Sequence, residues 1–175
     1  MSDESNPAEG AAIRAYDDHA SIVGMVAVSW NGAQESLYLM FVVLMGLRKP
    51  EAEAIFFTLK ADSAQRDITR ELAKAVLAHN ADLLKRTTEA INAFDRLAGE
   101  RNAAIHTMWH ASIGEGTVRP SPHAKRHGAL RPDHRTQFLQ LTHKLADLEG
   151  ELFDLAREIQ QHLASRDISH RQTIP

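Results

Sequence analysis

Apolar residues recur at alternating spacings of three and four through Val23, Val26, Trp30, Ala33, Leu37, Met40, Leu44 and Leu47. Such a seam belongs to a helix packed in a bundle or coiled coil. Tyr38, Phe41 and Val42 add apolar side chains on other faces. The second half of this helix is therefore expected to be buried on several sides, by its own bundle or by a second copy. Gly46 and Pro50 are expected to close it. A second long seam, Phe138, Leu141, Leu145, Leu148, Leu152, Leu155, Ile159 and Leu163, predicts the last helix. Between the two seams the pattern predicts a short helix from Glu51 to about Leu59. Another follows, capped by Asp62 or Ser63 and reaching about His79. Asn80-Ala-Asp82 marks a break, with Asp82 as a candidate cap. The next helix runs from Leu83 through at least His106, with Leu84, Ile91, Phe94, Ala98, Ile105 and Met108 on its apolar side.

Prolines agree with these boundaries. They fall at positions 7, 50, 120, 122, 132 and 175, leaving long proline-free stretches in which helices can run. The segment from His110 to Pro132 differs in composition, with three prolines and little apolar periodicity. Trp109, Ala111 and Ile113 alternate up to Gly114-Glu115-Gly116, and Thr117-Val118 follow, which predicts a small β-hairpin. The expected fold is all-α, an up-and-down bundle of four to five helices with an irregular or hairpin-containing loop before the last helix. Residues 1–12 read as a disordered acidic N-terminus, 13–166 as a single helical domain and 167–175 as a frayed tail.

Composition narrows the chemistry. A chain of 175 residues, 43% hydrophobic, is long enough to bury a core. It has no cysteine, which excludes disulfides, thiolate nucleophiles and cysteine-ligated metal clusters. The start, MSDESNPAEG, has neither the basic nor the apolar region of a signal peptide. The most apolar run, Leu37 to Leu47, is too short for a bilayer, which needs about 20 residues. No membrane association and a cytoplasmic location are expected on these grounds. A formal charge of −3 argues against bulk electrostatic binding of nucleic acid, although a local basic patch is compatible with it.

The chemically informative stretch is Glu100-Arg101-Asn102-Ala103-Ala104-Ile105-His106. Arg101 falls on the apolar side of its helix. An arginine there must be paired, must reach solvent along its stem, or must face a site. Asn102 and His106 are four apart and share a face, so Asn102 could orient the imidazole. Arg101 and His106 are five apart, about 140° around a regular helix. One helix does not aim both at a single atom; the long arginine would have to reach round, or a second subunit would have to complete the site. A structural alternative pairs Arg101 with Glu35, Glu71 or another carboxylate and leaves His106 to cap its helix.

An arginine, a polar residue, a short spacer and a histidine, late in a long helix, resemble the signature of the HEPN domains. The resemblance covers the layout of about residues 14–166, and its specific part is the stretch Arg101 to His106. Trp109 is similar to a continuation common in such helical proteins. The resemblance implies a homodimer whose Arg–His motifs meet across the interface. It also implies a metal-independent ribonuclease or RNA-binding protein of the toxin or defence kind, with a cognate antitoxin or regulator as partner. His106 would then be the general base, Arg101 the phosphate stabiliser and Asn102 their support, with no cofactor. The alternative is a non-catalytic homodimeric interaction module built on the same bundle.

Two further features bear on this. Residues 110–135 carry a net +3 before their four histidines, and Arg119, Lys125, Arg126 and Arg131 are candidates for contacts with an RNA backbone. The segment has no aromatic interleaving to stack bases. The chain has ten histidines, of which His106 and His110 are spaced as a helical metal pair, but HTMWH lacks the acidic residue of a metalloprotease motif. No glycine-rich phosphate loop and no nucleophile elbow are present.

Overall fold

The structure, a computed structural model, describes residues 7–121 and 133–172, with side chains to residue 166. Five helices and one hairpin follow in order: α1 (Pro7–Met45), α2 (Lys49–Phe56), α3 (Asp62–Val76), α4 (Ala81–His106), β1 (Trp109–Ser112), β2 (Thr117–Pro120) and α5 (His134–Gln172). The all-α expectation holds, and the hairpin lies where alternation placed it.

The long seams fold as their spacing dictates. Val26, Trp30, Ala33, Leu37, Met40 and Leu44 of α1 are all buried, as are Phe138, Leu141, Leu145, Leu148, Leu152, Leu155 and Ile159 of α5. Helix α1 ends at Met45, and Gly46 takes a left-handed φ of 62° while its N–H donates to the Val42 carbonyl. Glycine suits this place because a Cβ would strain that conformation. Leu47 lies past the helix end and is exposed. Pro50, expected to close α1, instead lies in the first turn of α2, where its missing N–H costs no helical hydrogen bond.

Several boundaries differ from those the pattern predicts. Helix α1 starts at Pro7, inside the stretch read as a tail, and α5 continues to Gln172. Neither side chain proposed for α3 caps it: Ala61 holds the N-cap position, and Asp62 and Ser63 fall within the helix. The cap of α4 is Asn80, whose side-chain oxygen accepts from the Leu83 N–H at 3.1 Å. Asp82 lies within the first turn of the helix and sits 3.6 Å from Arg86.

Two compact units divide the helices. One holds the chain up to Trp30 together with Leu97–Lys144, and the other holds Asn31–Arg96 together with the chain from Leu145. In the second, Phe56 meets Tyr38 and Phe41 at ring separations of 5.3 and 5.1 Å. The buried Gln65 ties this aromatic group to the chain, donating to the carbonyls of Phe56 and Leu59. Arg66, 4% exposed, donates to Asp95 at 2.5 Å and lies over the Phe94 ring. Arg86 grips Glu158 with both terminal nitrogens, at 2.9 and 2.7 Å. In the first unit, Ala103 and Ala104 of α4, Thr107 just past its end, Val118 of β2, and Phe138 and Leu141 of α5 are buried. Ala12, Ile22, Val26 and Trp30 of α1 are buried in the same unit.

No helix among the described residues is long and apolar enough to cross a membrane.

Candidate functional site

The apolar side of α4 turns as the helix advances. Ile91 and Phe94 are buried, Ala98 and Arg101 are half-buried, and burial then passes to Ala103, Ala104 and Thr107. A straight helix drifts by only about 20° per heptad against a strict three/four pattern, so most of the shift is a change in which face of α4 is covered. Small alanines let the last turns pack closely. Met108, placed on the seam by spacing alone, lies beyond the helix end and is 63% exposed.

This shift leaves Arg101 at the margin of the core. Its guanidinium lies over the indole of Trp30, 5.1 Å from the ring centroid, and Trp30 is itself buried. One terminal nitrogen donates to the Asn102 side-chain oxygen at 3.1 Å. The Nε is buried and has no hydrogen-bond partner among the described residues. Neither Glu35 nor Glu71 neutralises it, and none of the ion pairs among the described residues includes Arg101. An aromatic face holds a cation without cancelling its charge, at a gain of roughly 0.5–2 kcal/mol. Arg101 is thus a positioned cation with donor capacity to spare.

Asn102 is exposed and turned toward Arg101, so its oxygen supports the guanidinium. His106 is the final residue of α4 and is exposed. The turn expected between Arg101 and His106 is therefore present: one side chain leans on the aromatic wall and the other stands at the helix terminus. The spacing of His106 and His110 loses its helical meaning, because α4 ends at His106 and His110 belongs to β1. Among the described residues, no group of three or more His, Asp or Glu could hold a metal ion.

The hairpin starts two residues beyond α4. Ala111 pairs with Val118 toward the interior, while the cross-strand partners His110 and Arg119 are both exposed. Gly116, at φ 59°, completes the turn and donates its N–H to the Ser112 carbonyl at 2.8 Å. Arg119 pairs with Glu115 at 2.5 Å on the surface, which offsets part of its charge. The other basic candidates, Lys125, Arg126 and Arg131, lie outside the described residues.

A cluster that spacing did not single out sits beside this helix end. The rings of His19 (α1) and Trp109 (β1) are 4.3 Å apart, and His134 at the start of α5 lies 4.8 Å from Trp109 and 5.4 Å from His19. Phe138 closes the group at 5.8 Å from Trp109. The indole N–H of Trp109 donates to the Ala104 carbonyl, tying the hairpin to the last turns of α4. His19 is 7% exposed, and burial, with help from His134 and Arg135, lowers its pKa to about 4. A signal for it was present in the chain. Ala12, His19, Val26, Ala33 and Met40 are spaced by seven and are all buried, so His19 occupies a seam position.

The chain matches no model of a known protein family, no curated protein and no solved structure.

Proposed function

We propose that this chain is an RNA-directed protein, a metal-independent endoribonuclease of the HEPN-like kind that acts as a homodimer through Arg101 and His106. A toxin or defence role with a cognate antitoxin or regulator belongs to the same reading. The observation that carries it is Arg101, held over Trp30 and Asn102 with no described carboxylate to neutralise it. A half-buried cation left without a counter-charge is costly unless an anion completes it. A phosphodiester is such an anion, and its two non-bridging oxygens can pair with the planar guanidinium fork.

The chemistry follows from the residue types. His106 accepts the proton of a ribose 2′-hydroxyl, and the freed oxygen attacks the adjacent phosphorus. The bond from phosphorus to the 5′-oxygen breaks, leaving a 2′,3′-cyclic phosphate and a 5′-hydroxyl. The leaving oxygen takes its proton from water or from the His106 of a second copy. Arg101 stabilises the charge that grows on the non-bridging oxygens, and Asn102 holds Arg101. Exposed Arg119 and His110 would extend the contact along the RNA backbone, joined by Lys125, Arg126 and Arg131. Binding then weakens as salt rises.

RNA incubated with the protein in EDTA tests the proposal. Cleavage should survive chelation and disappear in His106→Ala. Equal activity in that variant would overturn the assignment.

A second reading, a non-catalytic homodimeric module, is favoured by a separate observation. Ile13, Tyr16, Met25 and Val28 of α1 are exposed, Val28 to 72%. Exposed apolar side chains grouped on one helix suit a protein contact. Sedimentation of Val28→Glu tests this surface: conversion of a dimer to a monomer supports it, and an unchanged dimer contradicts it.

A further inference from the structure

We propose that His19, Trp109 and His134 form a proton-sensitive clasp, which ties the α4–β1 junction and the start of α5 to α1 and opens when His19 takes up a proton. Three rings from three elements meet within 5.4 Å of one another. The Nε2 of His19 is buried with no hydrogen-bond partner among the described residues, so nothing there would share an added proton.

Burial is the main force against protonation, and the charges that act on the ring add to it. From α5, His134 and Arg135 face His19, and both disfavour a positive imidazole. From β1, Trp109 brings a tilted aromatic ring and no charge. On α1 itself the neighbouring Asp18 is engaged with Arg135 at 3.4 Å. The neutral ring is the form the fold accommodates, and its proton affinity lies well below that of an ordinary histidine.

The sign follows from linkage. Unfolding or local opening restores His19 to ordinary affinity, near pH 6.5, so the open state binds more protons between pH 6.5 and about 4. Acid therefore favours opening over that interval, and neutral pH favours the closed cluster. Opening would release the indole bond to Ala104 and with it the last turns of α4 that carry His106. That consequence for His106 rests on the proposed function, whereas the clasp does not.

The test needs no RNA. The chain has two tryptophans, so Trp30→Phe leaves Trp109 as the sole fluorophore. Its emission should shift to the red between pH 6.5 and 4 while far-ultraviolet circular dichroism still reports most of the helix. Adding His19→Phe keeps a ring in place and removes the proton; the transition should then move down by about one pH unit or more. An unchanged midpoint in that variant would overturn the clasp. Nuclear magnetic resonance titration of the unaltered protein gives a second reading. One histidine ring should titrate below pH 5 and be missing from the spectrum of His19→Phe; its absence in the unaltered protein would contradict the proposal.

Discussion

Arg101 carries most of the meaning at the scale of single residues, because it has two roles that substitutions can separate. Its stem and guanidinium cover Trp30, and its charge has no described carboxylate partner. Arg101→Met keeps much of the stem and loses the charge. It should cost about 1 kcal/mol of stability, roughly the worth of the cation–π contact, and abolish RNA cleavage. Chemical denaturation and a cleavage assay on the same preparation read the two effects. If the residue were only structural, Arg101→Ala would destabilise the protein with no activity to lose. The buried hydroxyl of Thr87 poses the opposite case. Its oxygen has no hydrogen-bond partner among the described residues, and the side chain is fully buried. Thr87→Val should leave the melting temperature unchanged or raise it, because it removes an unsatisfied polar atom.

At the scale of elements, the cap of α4 separates two readings of Asn80-Ala-Asp82. Asn80→Ala should lower stability by about 1 kcal/mol, a fall in melting temperature of about 2–4 °C for a chain of this size. Asp82→Ala should change it little, since the exposed pair with Arg86 contributes little. Spacing alone placed the core faces of α1 and α5, because an apolar side chain every three or four residues has one physical use. It could not decide between Asn80 and Asp82, which have the same capping chemistry two positions apart. It also misplaced Met108 on the seam, since the helix stops at His106 and the burial of α4 drifts toward Ala103, Ala104 and Thr107. The hairpin was legible from its alternation and its glycines. The meeting of His19, Trp109 and His134 was not, because residues so far apart in the chain are brought together only by the packing of three elements.

For the whole molecule, charge and histidine content take on specific places. The formal −3 averages an acidic start, net −4 over residues 1–18, and the basic stretch 110–135. RNA contact is thus compatible with an acidic chain, and it should be concentrated near the hairpin that follows His106. Among the ten histidines, His106 stands at a helix end, and His19 is buried in its neutral form. Its lowered pKa makes stability pH-dependent. Between pH 6.5 and about 4 the unfolded chain binds the extra proton, so stability should fall with acid over that window, and less so in His19→Phe. Urea midpoints collected across the window check this. The central claim is that Arg101 and His106 act together on a phosphodiester, and the ends of the RNA report on it most directly. With chelator present, single-turnover cleavage by the unaltered protein should yield 2′,3′-cyclic phosphate and 5′-hydroxyl ends, with His106→Ala and Arg101→Met both inactive though folded. Cleavage by folded His106→Ala, or products bearing 5′-phosphates, would contradict it.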